Sequence, residues 1–155
     1  MKKNLVGVVV GSKNDLPFME ETIKTLKSFK IPYELKILSA HRNPEETAQY
    51  AKKAEKRGME VIIAAAGLSA HLAGALAART LLPVIGVSVP SEPLKGVESF
   101  LSTLQMPSGV PVATMSIGKP GAKNSAILAA EILSLKYPRI KKRLKEYKRN
   151  HRLHR

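Results

Sequence analysis

Residues 5–15 read LVGVVVGSKND, and the reading of this stretch decides the fold. Leu5–Val10 is an almost unbroken apolar run, as expected of a strand covered on both faces rather than one with a wet side. Gly11 then permits a tight turn. The residues after it, Asp15–Phe29, carry Leu16, Phe18, Met19, Ile23, Leu26 and Phe29 at helical spacing. Pro17 falls in the first turn of that helix, where its missing N–H does no harm. A buried strand feeding directly into an amphipathic helix opens a βα unit.

The unit recurs outward from there. Tyr33–Leu38 reads as a second strand. Asn43 stands as a helix cap, with Pro44 and Glu46 behind it, for a helix running to about Arg57 and ended by Gly58. Glu60–Ala66 is a third strand, followed by an alanine-rich helix over His71–Thr80. Pro83–Val89 is a fourth strand, Gly96–Leu104 a short helix, and Val110–Ile117 a fifth strand. Gly121–Leu135 is a helix whose small residues suit close packing, and Arg139–Arg152 a final basic helix beyond the breaker Pro138. Strands alternating with helices imply a parallel sheet covered on both sides. The expectation is an α/β three-layer αβα sandwich, a flavodoxin-like parallel five-stranded sheet with an added C-terminal helix. Residues 1–136 would form one catalytic domain and 137–155 a basic helical extension. Ile140, Leu144 and Tyr147 make one apolar strip on that extension, expected to dock on a neighbouring subunit.

The totals narrow the function classes. A chain of 155 residues can bury a real core, and 44% hydrophobic content is ordinary for a globular protein. The absence of cysteine excludes disulfides, thiolate metal sites and a cysteine nucleophile, and it fits a reducing compartment such as the cytoplasm. The apolar run of the first strand ends in polar loop residues rather than a small-residue cleavage site, so a secretory leader is a poor reading of it. No apolar stretch is long enough for a bilayer. Net charge is +14, yet residues 136–155 hold ten Lys/Arg against Glu146 alone. The excess is mostly a property of the tail. With 5% aromatic residues and no tryptophan there is little to stack on bases, so a nucleic-acid partner is not expected.

In a sheet of this kind ligands bind beyond the carboxyl ends of the strands. The loops there are GSKND (11–15), SAHRNP (39–44), GLSAH (67–71), PSEPLKG (90–96) and GKPGAKN (118–124). In the first, Ser12 and Asn14 are polar and the helix start favours an anion. Asp15 suits ribose hydroxyls, although a simple helix cap explains it better from this loop alone. The loop is neither GxGxxG nor GxxxxGK[ST], so the signal for a dinucleotide or P-loop site is weak. In the second, Ser39, His41 and Arg42 set a hydroxyl, an imidazole and a guanidinium within four residues. Arg42 can grip a phosphate bidentately, and His41 can carry a proton near neutral pH. An ordinary polar loop is the equal alternative. In the third, Gly67, Ser69 and Ala70 leave room and expose N–H groups, while His71 sits at a helix start and could merely cap it. Convergence tips the balance: of four histidines, His151 and His154 lie in the tail, and the other two fall in loops after consecutive strands. No cluster has metal-ligand spacing, and no G-x-S-x-G elbow is present.

Taken in order, GSKND, SAHRNP, GLSAHLAG, PVIGVSV, LKGVESFLSTLQMPSGVPVATMSIG and GAKNSAILAAEIL resemble the class I N5-carboxyaminoimidazole ribonucleotide mutases of purine synthesis. The likeness covers about residues 5–136. It implies an aminoimidazole ribonucleotide substrate bearing a carbamate, a product carrying that carboxyl on ring carbon C4, and no cofactor or metal. By the same likeness Ser12, Asn14 and Asp15 bind substrate, with Asp15 at the ribose, and Arg42 holds the phosphate. His41 is the general acid and base. Ser39 and the loop Gly67, Ser69, Ala70, His71 and Leu72 complete the site, with His71 near the migrating carboxyl. It also implies a homo-octamer. Asn14 replaces a usual serine, Ser88 a usual proline, and GLSAHLAG a usual GGAAHLPG, which puts Leu68 where glycine's freedom at positive φ is normal. Two further readings stand beside the mutase: direct carboxylation of the ribonucleotide by CO2, and a non-catalytic RNA-binding protein built on the basic tail.

Overall fold

The computed structural model describes residues 3–153. Five parallel strands, β1 (Val6–Val10), β2 (Tyr33–Ile37), β3 (Val61–Ala66), β4 (Val84–Ser88) and β5 (Ala113–Thr114), lie in the order β2-β1-β3-β4-β5. The helices between and after them are α1 (Leu16–Ser28), α2 (Pro44–Ala54), α3 (Leu72–Ala77), α4 (Val97–Leu104), α5 (Lys119–Ser134) and α6 (Pro138–Leu153). This is the three-layer, flavodoxin-like arrangement expected from the alternating pattern. Among the described residues no helix is long and apolar enough to cross a membrane.

The unbroken apolar runs explain the layering. Because side chains alternate along a strand, each central strand feeds two cores. Val6, Val8 and Val10 join Val61, Ile63, Ala65, Ile85 and Val87 in one core, against Met19 and Leu26 of α1 and the alanines of α5. Val9, Ile62, Ala64 and Val84 face the other way, onto Tyr50, Ala51 and Ala54 of α2 and Leu72 and Leu76 of α3.

Three elements differ from expectation. The fifth strand shrinks to Ala113–Thr114, paired with Ile85 and Gly86. Pro111 has no N–H to give a ladder. Beyond Thr114 the chain keeps only spaced contacts with β4, Met115 N–H to the Gly86 carbonyl and Gly118 N–H to that of Ser88, both 2.9 Å. Asn43 stands at the head of α2 but makes no side-chain cap bond. The turn is tied instead through Ser39, whose carbonyl accepts from Asn43 N–H (2.8 Å) and from the Thr47 hydroxyl (3.3 Å). Finally, the apolar strip of α6 is already covered within its own chain. Ile140 is 1% exposed and Leu144 7%, both in the core under α1 and α5, and Tyr147 packs edge-on to Phe29 with ring centroids 5.3 Å apart. The start of α6 is pinned as well, since Lys136 (2.8 Å) and the Tyr137 hydroxyl both donate to Glu60 beside β3.

Candidate active site

The strand order places the carboxyl ends of β1, β2, β3 and β4 around one hollow. A chain that runs from β1 out to β2 and back across to β3 sends its connections to opposite faces, and a crevice opens between the first and third loops. A cleft of about 650 Å³ lies there. Of the expected residues, Ser12, Asn14, Asp15, Ser39, His41, Arg42, Gly67, Ser69, His71 and Leu72 line it. Ala70 does not: it is buried beneath the loop and 2% exposed.

The first loop is folded back by its own carboxylate. Asp15 Oδ2 accepts from the Ser12 N–H at 2.9 Å, so Asp15 organises the turn while facing the cleft. Burial raises its carboxyl above the usual aspartate range, against the opposing pull of hydrogen bonds from Ser12 and the charge of Arg42. The second loop is braced by Ser39, whose hydroxyl accepts from the Arg42 N–H at 3.2 Å. Arg42 reaches across to donate from Nη2 to the Gly11 carbonyl at 2.9 Å, which bridges the ends of β1 and β2. Its guanidinium has four other N–H donors for an anion.

His41 and His71 meet across the cleft. His41 Nε2 and His71 Nδ1 share a hydrogen bond of 2.7 Å, and the rings stand edge to face at 89°. His71 therefore does not cap α3 through its side chain; its imidazole belongs to the partner loop. Two nitrogens at this distance hold one hydrogen between them, so the rings adopt complementary tautomers on the facing side.

The fourth loop supplies residues that were not singled out in the sequence. Val89, Pro90 and Ser91 line the cleft, with Phe18 from α1 and Leu68 from the third loop. Ser91 accepts from the Leu68 N–H at 3.3 Å and donates to Glu98 Oε1 at 2.6 Å. With its N–H tied into this chain of contacts, Leu68 stands at φ +51°, the left-handed region that favours glycine. The strand-end rule pointed to this loop but not to which side chains turn inward. The fifth loop, 118–124, stays out of the cleft, because β5 is the far edge of the sheet. Among the described residues no three His, Cys, Asp or Glu side chains gather as a metal site.

Comparison with known proteins shows the family. A family model described as AIR carboxylase matches residues 5–153. The N5-carboxyaminoimidazole ribonucleotide mutase of Pyrococcus abyssi is 57% identical over 143 residues, 92% of this chain and 81% of that protein. Its namesake in Pseudomonas aeruginosa is 54% identical, over 94% of this chain and 90% of the other. The crystal structure of Treponema denticola PurE superposes with a TM-score of 0.86 at 32% identity, covering 96% of this chain and 92% of that one. With a family match that takes in all five strands and both helices after them, and such relatives over nearly the whole length, this chain belongs to the AIR carboxylase family.

Proposed function

We propose that the chain interconverts N5-carboxyaminoimidazole ribonucleotide and 4-carboxy-5-aminoimidazole ribonucleotide in purine biosynthesis, with His41 as proton carrier. The observation that carries this reading is the pairing of His41 with His71 beside Arg42, in a chain 57% identical to a protein bearing the mutase name.

The chemistry fits the walls. His41 gives a proton to the carbamate nitrogen, the N–C bond breaks with its pair going to nitrogen, and CO2 is set free beside the amine. Ring carbon C4 then attacks CO2 with the enamine pair. Neutral His41 takes the C4 proton and restores the aromatic ring. The proton lent in the first step is recovered in the last, so one imidazole serves as acid and then base. These steps balance without a cofactor. CO2 must not escape between them, and the loop 67–72 with Val89 and Pro90 gives the cleft a small, partly apolar wall. Arg42 holds the phosphate and Asp15 the ribose, with Ser12, Asn14 and Ser39 adding polar contacts, so binding energy at the nucleotide end orients the ring for both steps.

The working form in this reading is a cytoplasmic homo-octamer. Val97, Leu101 and Leu104 support self-association: they repeat at helical spacing on α4 and remain 49%, 46% and 47% exposed. Light scattering on the purified protein tests the octamer.

The reaction is tested by supplying each substrate separately. The mutase converts the carbamate-bearing ribonucleotide with no added bicarbonate. Product formed only from the uncarboxylated ribonucleotide plus bicarbonate would assign direct carboxylation instead.

A further inference from the structure

Four cations converge at the end of the sheet opposite the active site. Lys27 lies in the last turn of α1, Lys30 just beyond it, and Arg139 and Arg143 sit one turn apart at the start of α6. With Ile31 and Pro32, which lead into β2, they line a cleft of about 540 Å³. Strands β1 to β4 point their carboxyl ends at the His41–His71 cleft, whereas this one opens beside the amino end of β2.

Three features set it apart from an ordinary solvated basic face. First, among the described residues none of the four cations forms an ion pair; most lysines and arginines of this basic chain share that lack, but these four surround one cleft. Four like charges around one hollow repel each other, and an anion relieves that repulsion. Second, Lys30 holds φ +53° as the residue that ends α1, with its N–H on the Lys27 carbonyl (2.9 Å) and Ile31 N–H on that of Leu26 (3.0 Å). Glycine fits this position; a lysine there costs about 1 kcal/mol of backbone strain and adds a charge to the rim. Third, two of the cations are arginines on one helix face, suited to forked contacts with phosphate oxygens, and the Ile31–Pro32 floor is apolar.

We propose that this cleft is a second anion site that takes the phosphate chain of a nucleoside di- or triphosphate. Its volume falls in the range of small-molecule pockets. The concave convergence of cations from two elements favours a compact phosphate chain over an extended polynucleotide, which wants a charged track and aromatic stacking partners. The site is separate from the catalytic cleft, so a nucleotide bound here does not displace substrate.

The test is calorimetric titration of the full-length protein with inorganic tripolyphosphate at roughly 0.1 M salt. The expected result is binding whose affinity falls about tenfold or more in an Arg139→Gln/Arg143→Gln double variant and in Lys27→Gln. Arg42→Gln, which alters the catalytic cleft, leaves that affinity unchanged, and the double variant keeps parental turnover. Parallel titrations identify the source of the phosphates. ATP binding tighter than tripolyphosphate assigns the apolar floor to the nucleoside, and equal affinities assign the site to the phosphate chain alone. The proposal is overturned if tripolyphosphate does not bind, if its binding is unmoved by the double variant, or if it is lost in Arg42→Gln. It is equally overturned if RNA occupies the same residues with affinity that climbs with polymer length, because the site then belongs to a polynucleotide.

Discussion

His41 Nε2 and His71 Nδ1, from loops thirty positions apart, lie 2.7 Å from each other and share one hydrogen. Were both rings fully protonated, N–H would face N–H and the contact would break. In the proposed reaction the pair couples the proton carrier to the loop assigned to the migrating carboxyl. His41→Asn is expected to lower kcat by about 10²–10⁴-fold with little change in melting temperature, as for loss of a general acid–base group. His71→Asn should cost less in kcat, since it removes the ring that fixes the His41 tautomer but leaves the proton carrier in place. Steady-state kinetics on both variants checks this.

Asp15 carries opposite signs for stability and function. Burial keeps its carboxyl above the usual range. The folded chain therefore retains a proton where the unfolded chain has lost it, and stability falls as pH rises from the unfolded value through the folded one. Asp15→Asn removes that loss and still offers an oxygen to the Ser12 N–H. It should melt higher than the parent at neutral pH, the gain vanishing below roughly pH 4. Its KM for the ribonucleotide should rise. Melting curves at several pH values, set beside KM, test both halves.

The C-terminal helix is part of the core. Ile140→Ala or Leu144→Ala should destabilise the chain by about 2–5 kcal/mol by denaturant unfolding, the range for cavities left by buried aliphatic side chains. A chain ending at residue 136 loses the cover over Phe29 and should not yield a cooperative transition. Parental stability in both point variants would show that the strip is not packed as described.

Gly121 admits no side chain. A methyl built on it would come within 1.6 Å of the Ser116 carbonyl oxygen, a backbone atom that cannot swing aside. Gly121→Ala should cost about 1–3 kcal/mol or more through overpacking. The loss should appear in thermal melts rather than in substrate affinity, because loop 118–124 does not reach the cleft.

Leu68 occupies left-handed backbone with its side chain largely exposed. Leu68→Gly relieves strain of about 1 kcal/mol and frees the unfolded chain by a similar amount, so the melting point should barely move. Leu68→Ile puts a β-branched residue where its backbone is least tolerated, and should lower it.

Much of this was legible in the sequence because the signals were redundant. The continuous apolar runs of β1 and β3 could belong only to strands buried twice, and the helices between them fixed the layers. The loops at the strand ends then named Ser12, Asp15, His41, Arg42 and His71. What stayed hidden depended on distant contacts. Whether Val110–Ile117 extends the sheet depended on Pro111, which has no N–H to give, and on the close approach of Gly121 in α5 to the Ser116 backbone. The apolar strip of α6 read as a surface for another subunit, because nothing local says that Phe29 waits to receive Tyr147. Ser91 and Phe18 entered the cleft through the turns of a loop and of a helix start, which no periodicity encodes.

The strand order β2-β1-β3-β4-β5 has a consequence for redesign. The hollow above β1 exists because the backbone departs in two directions, before any side chain is chosen. An engineer could therefore replace the lining around it and keep a concavity in the same place. New reactivity would be cheaper to install there than anywhere else on the molecule, provided the two cores beneath are left alone.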